Sequence, residues 1–122
     1  MSSHVLLIED EPNIAEAIRF ILSRDGWQVS TLMDGTRALA MVEEMRPDLV
    51  ILDLMLPGQS GLEILEAIRA HPEAGQTPVM MLTAKGQGRD REAAERAGVS
   101  HFMTKPFSNA DMLASVRALA GR

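Results

Sequence analysis

Residues 49–61 read LVILDLMLPGQSG: four large apolar side chains in a row, an aspartate at position 53, then a turn-rich loop leading to Ser60. A short apolar run bounded by breakers is the pattern of a strand buried on both faces, since a strand with one wet face would alternate. The pattern recurs along the chain. Val5-Leu6-Leu7-Ile8 runs into Glu9-Asp10-Glu11-Pro12, Val79 to Leu82 runs into Thr83-Ala84-Lys85, and the short strand His101 to Thr104 ends at Lys105-Pro106. Trp27 to Leu32, apolar at alternate positions, predicts a half-covered edge strand.

Helical patterns fill the intervals. Pro12 suits a first helical position, Ile14, Ile18, Ile21 and Leu22 repeat at three and four, and Asp25-Gly26 supplies a left-handed cap. Leu39, Val42 and Met45 form the stripe of a second helix, stopped at Arg46-Pro47. Ser60 with Glu63 forms a capping box for a third, whose Leu62, Leu65 and Ile68 share a face. A Gly86-Gln87-Gly88 loop precedes a weaker Ala-rich helix over 90–97, stopped by Gly98. Ser108 with Asp111 forms a second capping box for a last helix carrying Met112, Val116 and Leu119. Five strands alternating with five helices, with crossovers long enough for right-handed parallel units, predict a doubly wound α/β sandwich.

Composition bounds the function. A length of 122 residues against about 150 per domain implies one globular domain over 1–122. Zero cysteines leave neither a disulfide nor a thiolate metal site. A net charge of -5 repels a phosphate backbone, so neither nucleic acid nor an anionic membrane surface is an expected partner. No long apolar run or secretory leader is legible, which reads as a cytoplasmic protein.

In open parallel sheets ligands bind outside the carboxyl ends of the strands. Four stretches occupy such positions: Glu9-Asp10, Asp53, Thr83 and Lys105. Each alone has a plain explanation, from a solvated acidic turn to an ordinary surface lysine. Together they make a chemical set. Carboxylate oxygens suit a hard cation such as Mg²⁺, which takes one or two carboxylates plus phosphate oxygens. An aspartate kept ionised beside such a cation can act as a nucleophile in aspartyl-phosphate chemistry. A threonine hydroxyl can donate to a phosphoryl oxygen, and a lysine can serve as a point charge for it.

The strings LLIEDEP, VILDLMLPGQSG, VMMLTA and FMTKPF, in this order and at this spacing, resemble the receiver domain of two-component response regulators over about residues 4–120. The resemblance implies a flavodoxin-like five-stranded parallel sheet of order 2-1-3-4-5 with five helices. It implies Asp53 as phosphoacceptor, Glu9 and Asp10 as the acidic pair at a Mg²⁺ site, and Met55 as the source of a backbone carbonyl ligand. Thr83 matches the switch hydroxyl, Lys105 the phosphate-binding lysine, and Phe102 the aromatic whose rotamer follows Thr83. Pro106 matches a proline that follows a cis peptide. The implied partners are a sensor histidine kinase or histidine phosphotransfer protein upstream and an effector protein or domain downstream, with the chain a monomer or weak dimer. It is not expected to be an enzyme beyond catalysing its own phosphorylation and dephosphorylation.

On this reading a phosphohistidine is attacked in line by Asp53 while Lys105 balances the added charge. Thr83 then moves inward, Phe102 turns into the vacated space, and the face of helix 4, strand 5 and helix 5 repacks. Three departures from the family's pattern stand out. Phe102 replaces the commoner tyrosine, Ala84 leaves the acyl phosphate open to water that Lys85 could steer, and His101, Asp111 and Ser115 match poorly the residues of a helix 4–helix 5 dimer. Alternatives are a receiver fragment of a longer DNA-binding regulator, or a receiver-like binding module that works without phosphorylation. A flavin module would need a phosphate-cradling loop where Glu9-Asp10-Glu11 stands, and an aspartyl phosphatase would want an acid where Met55 stands.

Overall fold

A computed structural model describes residues 3–84 and 88–121. The element order is β1 (His4–Ile8), α1 (Pro12–Arg24), β2 (Gln28–Leu32), α2 (Ala38–Met45), β3 (Leu49–Asp53), α3 (Gly61–Ala70), β4 (Val79–Thr83), α4 (Gly88–Arg96), β5 (His101–Thr104) and α5 (Asn109–Leu119). The strands form one sheet of order β2-β1-β3-β4-β5 in which every neighbouring pair is parallel. This is the doubly wound order that the resemblance to receiver domains implies, with β2 at one edge.

Side chains alternate across the sheet, and the two faces collect different helices. Val5, Leu7, Leu49, Ile51, Met80, Leu82 and Met103 pack with Ile18 and Leu22 of α1 and with Met112 and Val116 of α5. Leu6, Ile8, Val50, Leu52, Val79, Met81 and Phe102 pack with Val42 of α2, Ile64, Leu65 and Ile68 of α3, and Ala94 of α4. The apolar runs read from sequence are therefore buried twice over, and β3 and β4 are buried along their whole length.

Local chemistry sets the ends of the elements. Pro12 opens α1, and Gly26, at φ 90, closes it: its amide donates to Ser23 O and that of Trp27 to Leu22 O, a Schellman pair that needs a left-handed residue. Trp27 thus belongs to this cap and not to β2, contrary to the alternation read from sequence, and its ring is buried against the α1 side of the sheet. The Ser60–Glu63 capping box is present in both directions. At α5 the Ser108 hydroxyl accepts from the Asp111 amide; the structure shows that half of the expected box, Asp111 being one methylene shorter than the usual partner. On α3, Ile64 holds the buried place given to Leu62, which packs only partly against the core. Helix α4 starts at Gly88, earlier than expected, while Lys85, Gly86 and Gln87 lie outside the described residues.

Candidate functional site

The register brings the four stretches to one edge. β1 and β4 flank β3, so the residue after β1, Glu9, and the last residue of β4, Thr83, stand on either side of Asp53. Strand ends are fixed by continuing ladder bonds: the Glu9 amide donates to Leu32 O (3.0 Å), the Leu54 amide to Leu82 O (2.8 Å) and the Lys105 amide to Thr83 O (2.8 Å). β5 lies two strands from β3, a gap of about 10 Å, which only a long side chain such as that of Lys105 closes. Alternation continued past the strand ends puts Glu9, Asp53 and Lys105 on the α1/α5 face, and Thr83 with Phe102 on the face of α2–α4.

The charged groups meet. Lys105 Nζ lies 2.8 Å from Asp53 Oδ2 and 2.8 Å from Glu9 Oε1. It is aligned as a hydrogen-bond donor to Asp53, whose other oxygen, Oδ1, accepts from the Met55 amide at 3.0 Å. The Asp53 carboxylate is thereby held at both oxygens. Glu9 is fully buried; its Oε2 accepts from the Glu11 amide at 3.1 Å, whereas Oε1 has no aligned donor. Burial, and after it the hydrogen bond with Asp53, push the Glu9 carboxyl up to about 7, against the opposing pull of Lys105 and the Glu11 amide. At Lys105 burial works to lower the pKa, but the adjoining Asp53 and Glu9 outweigh it and raise it above the ordinary lysine range.

One carboxylate oxygen from each of Glu9, Asp10 and Asp53 falls within 4.8 Å of the others. Asp10 is exposed, while Glu9 and Asp53 are buried. An all-oxygen donor set containing a buried oxygen without an aligned donor fits a hard divalent cation such as Mg²⁺. These residues, with Thr83, Ala84 and Lys105, line a cleft of about 550 Å³ open to solvent.

The remaining sequence-predicted residues fall as follows. Met55 contributes its amide to Asp53, and its side chain is exposed. Thr83 is buried at the cleft wall, and the Lys105–Pro106 peptide is cis. Phe102 is buried in the α2–α4 core, with the Arg91 guanidinium 5.7 Å from its ring centroid. Asp90, in the first turn of α4, also lines the cleft, and no role was read for it in the sequence. Seven residues past the end of β4 and inside a helix, it carries no strand-end signal in the sequence.

Among known proteins, the family described as the response regulator receiver domain matches residues 5–117. The probable transcriptional regulatory protein TcrX of Mycobacterium tuberculosis is 42% identical over 118 residues, covering 97% of this chain and 50% of TcrX. The phosphate regulon transcriptional regulatory protein PhoB of Rhizobium meliloti is 36% identical, covering 100% of this chain and 54% of that protein. The chain thus spans about half the length of these relatives. The structure of the chemotaxis response regulator CheY4 of Vibrio cholerae superposes with a TM-score of 0.90 at 27% identity, covering 98% of this chain and 99% of that one. Shared sequence across nearly its whole length, on a shared five-stranded frame, shows that this chain belongs to the response regulator receiver domains of two-component systems.

Proposed function

We propose that Asp53 accepts a phosphoryl group from a phosphohistidine on a sensor histidine kinase or a histidine phosphotransfer protein, in a Mg²⁺-dependent reaction. The observation that carries this reading is the buried Asp53 carboxylate, held at both oxygens by Lys105 and the Met55 amide, beside two further carboxylates in an open cleft. Glu9, Asp10 and Asp53, with the Met55 carbonyl, would hold Mg²⁺, which when bound supplies charge neutralisation for the phosphoryl oxygens. An Asp53 carboxylate oxygen forms the new bond to phosphorus as the N–P bond of the donor breaks. Lys105 Nζ balances the added negative charge, and the Thr83 hydroxyl donates to a phosphoryl oxygen. Water later hydrolyses the acyl phosphate; the exposed Ala84 side chain leaves its approach open. The chain catalyses only this modification of itself and its reversal.

Output runs through Thr83 to the face of α4, β5 and α5 and from there to an effector. Phe102, packed beneath Arg91, is the aromatic whose packing follows Thr83. Residues 1–122 form one receiver, monomeric or weakly dimeric, at work in the cytoplasm. Among the described residues no helix is long and apolar enough to cross a membrane. A second reading, a receiver half of a DNA-binding regulator, is favoured by the half-length match to relatives named as transcriptional regulators. DNA contact would then belong to a segment other than this acidic domain. Incubation with Mg²⁺ and acetyl phosphate is expected to add one phosphate, seen by intact mass, and Asp53→Asn to add none. Equal uptake by both proteins overturns the assignment.

A further inference from the structure

Gly61 opens α3 with its backbone against the end of β3. A Cβ at this position would lie 2.3 Å from the carbonyl oxygen of Asp53, 2.8 Å from Cα of Leu54 and 3.0 Å from the carbonyl carbon of Asp53. All three are main-chain atoms, so none can swing aside as a side chain would. Conformational freedom is not the reason for glycine here, since φ at Gly61 lies outside the left-handed region that Gly26, Gly58 and Gly98 occupy. The reason is proximity.

The contact is held from both sides. Toward the sheet, the Leu54 amide continues the ladder to Leu82 O at 2.8 Å, so the end of β3 cannot retreat without breaking that bond. Toward the helix, Ile64, Leu65 and Ile68 bury α3 in the core, and the Ser60–Glu63 box fixes its first turn. Between them the Gly61 amide donates to Leu54 O at 2.9 Å and closes the loop that follows Asp53. A helix start and an acceptor peptide are thus pressed together with no side chain between them.

We propose that Gly61 is a positioning residue for phosphoryl acceptance: its missing side chain lets α3 abut the Asp53 peptide and so places the Asp53 carboxylate against Lys105 and the Glu9–Asp10 pair. This rests on the reading of Asp53 as the acceptor. Ordinary contact begins near 3.4 Å, so any Cβ at position 61 displaces the Asp53 peptide or α3 by about 1 Å. A misplacement of that size costs about 10²-fold in a reaction that depends on position.

The test compares Gly61→Ala with Gly75→Ala. A Cβ at Gly75 would also meet main-chain atoms, His71 O at 2.9 Å and Arg69 O at 3.0 Å, but in the connection before β4, at the other end of the sheet from Asp53. With both variants held at a temperature where they are fully folded, Gly61→Ala is expected to slow Mg²⁺-dependent phosphorylation by acetyl phosphate by about 10²-fold and to weaken beryllofluoride binding in parallel. Gly75→Ala is expected to lower the thermal midpoint and keep the phosphorylation rate within about twofold. A folded Gly61→Ala that is phosphorylated at the wild-type rate, or an equal loss of rate in Gly75→Ala, overturns the proposal. Should Gly61→Ala not fold, the wild-type protein supplies the measurement. Loading with beryllofluoride is expected to shift the Gly61 amide resonance and leave that of Gly75 in place, and an indifferent Gly61 resonance overturns the proposal. A wild-type chain that takes up no phosphate at all overturns the acceptor reading itself, which the phosphorylated wild type with an unimpaired Gly61→Ala does not.

Discussion

Glu9 shows at the scale of one residue how a carboxyl can be useful because it is badly solvated. Buried beside Asp53, it is pushed up to about 7 from an ordinary 4.5. The unfolded chain releases this proton near 4.5 and the folded chain near 7, so between those values the unfolded state binds fewer protons. Stability without metal is therefore expected to fall as pH rises from about 4.5 through 7, by about 3 kcal/mol for this group, and to change little from this source above that. Thermal unfolding in chelator across this range checks it. Glu9→Gln, which has no proton to lose, is expected to flatten the decline. The sequence made Glu9 a site candidate through its place after an apolar run. It could not give the shift, because the burial comes from the sheet and helices packed around it and the neighbouring charge comes from position 53.

Between elements, Arg69 carries a tie that no periodicity announces. From the last turn of α3 its Nε donates to Gly98 O at 2.8 Å, Nη1 to Thr77 O at 2.6 Å and Gly75 O at 3.2 Å, and Nη2 to Ser100 Oγ at 3.2 Å. Three segments, the end of α3, the approach to β4 and the α4–β5 connection, are joined through one planar guanidinium. Burial lowers its pKa, and its acceptors are neutral. Arg69→Met is expected to destabilise by about 2–3 kcal/mol, because several carbonyls lose a charged donor at once. Arg69→Lys is expected to recover little of this, since a point charge cannot reach acceptors in three directions. Urea unfolding of the three proteins measures both. The element boundaries themselves were largely legible, since Pro12, Gly26, Ser60 and Glu63 act within a few residues of where they stand. Trp27 was misread because alternation over a few residues cannot distinguish a strand from a cap that buries the same ring.

For the molecule as a whole, clustering Glu9, Asp10 and Asp53 leads to the expectation that the folded state gains from a divalent cation. A ligand that binds only the folded chain stabilises it by about 2.7 kcal/mol at 100 times its dissociation constant. Mg²⁺ at that excess is expected to raise the unfolding midpoint accordingly, and chelation to return it without unfolding the protein. Asp10→Asn, which lies at the exposed edge of the cluster and leaves the buried carboxyls intact, is expected to reduce the gain. Calorimetric scans with and without Mg²⁺ decide the matter, and an equal midpoint in both would remove the metal site.

The strand and helix alternation, the parallel run of the strands and the strand-end places of Glu9, Asp53, Thr83 and Lys105 could be read from residue patterns, because burial on two faces leaves a local mark on a chain, whereas the strand order 2-1-3-4-5 came from the resemblance to receiver domains. Other features depended on distances between segments remote in sequence. They include the 2.8 Å approach of Lys105 to both acids, the inward Phe102 beneath Arg91, the place of Asp90 in the cleft and the contact of Gly61 with the Asp53 peptide. Local pattern is set by what each side chain does to its own few neighbours. These contacts are set by how tightly five strands and the helices over them close together, a property of the packed whole.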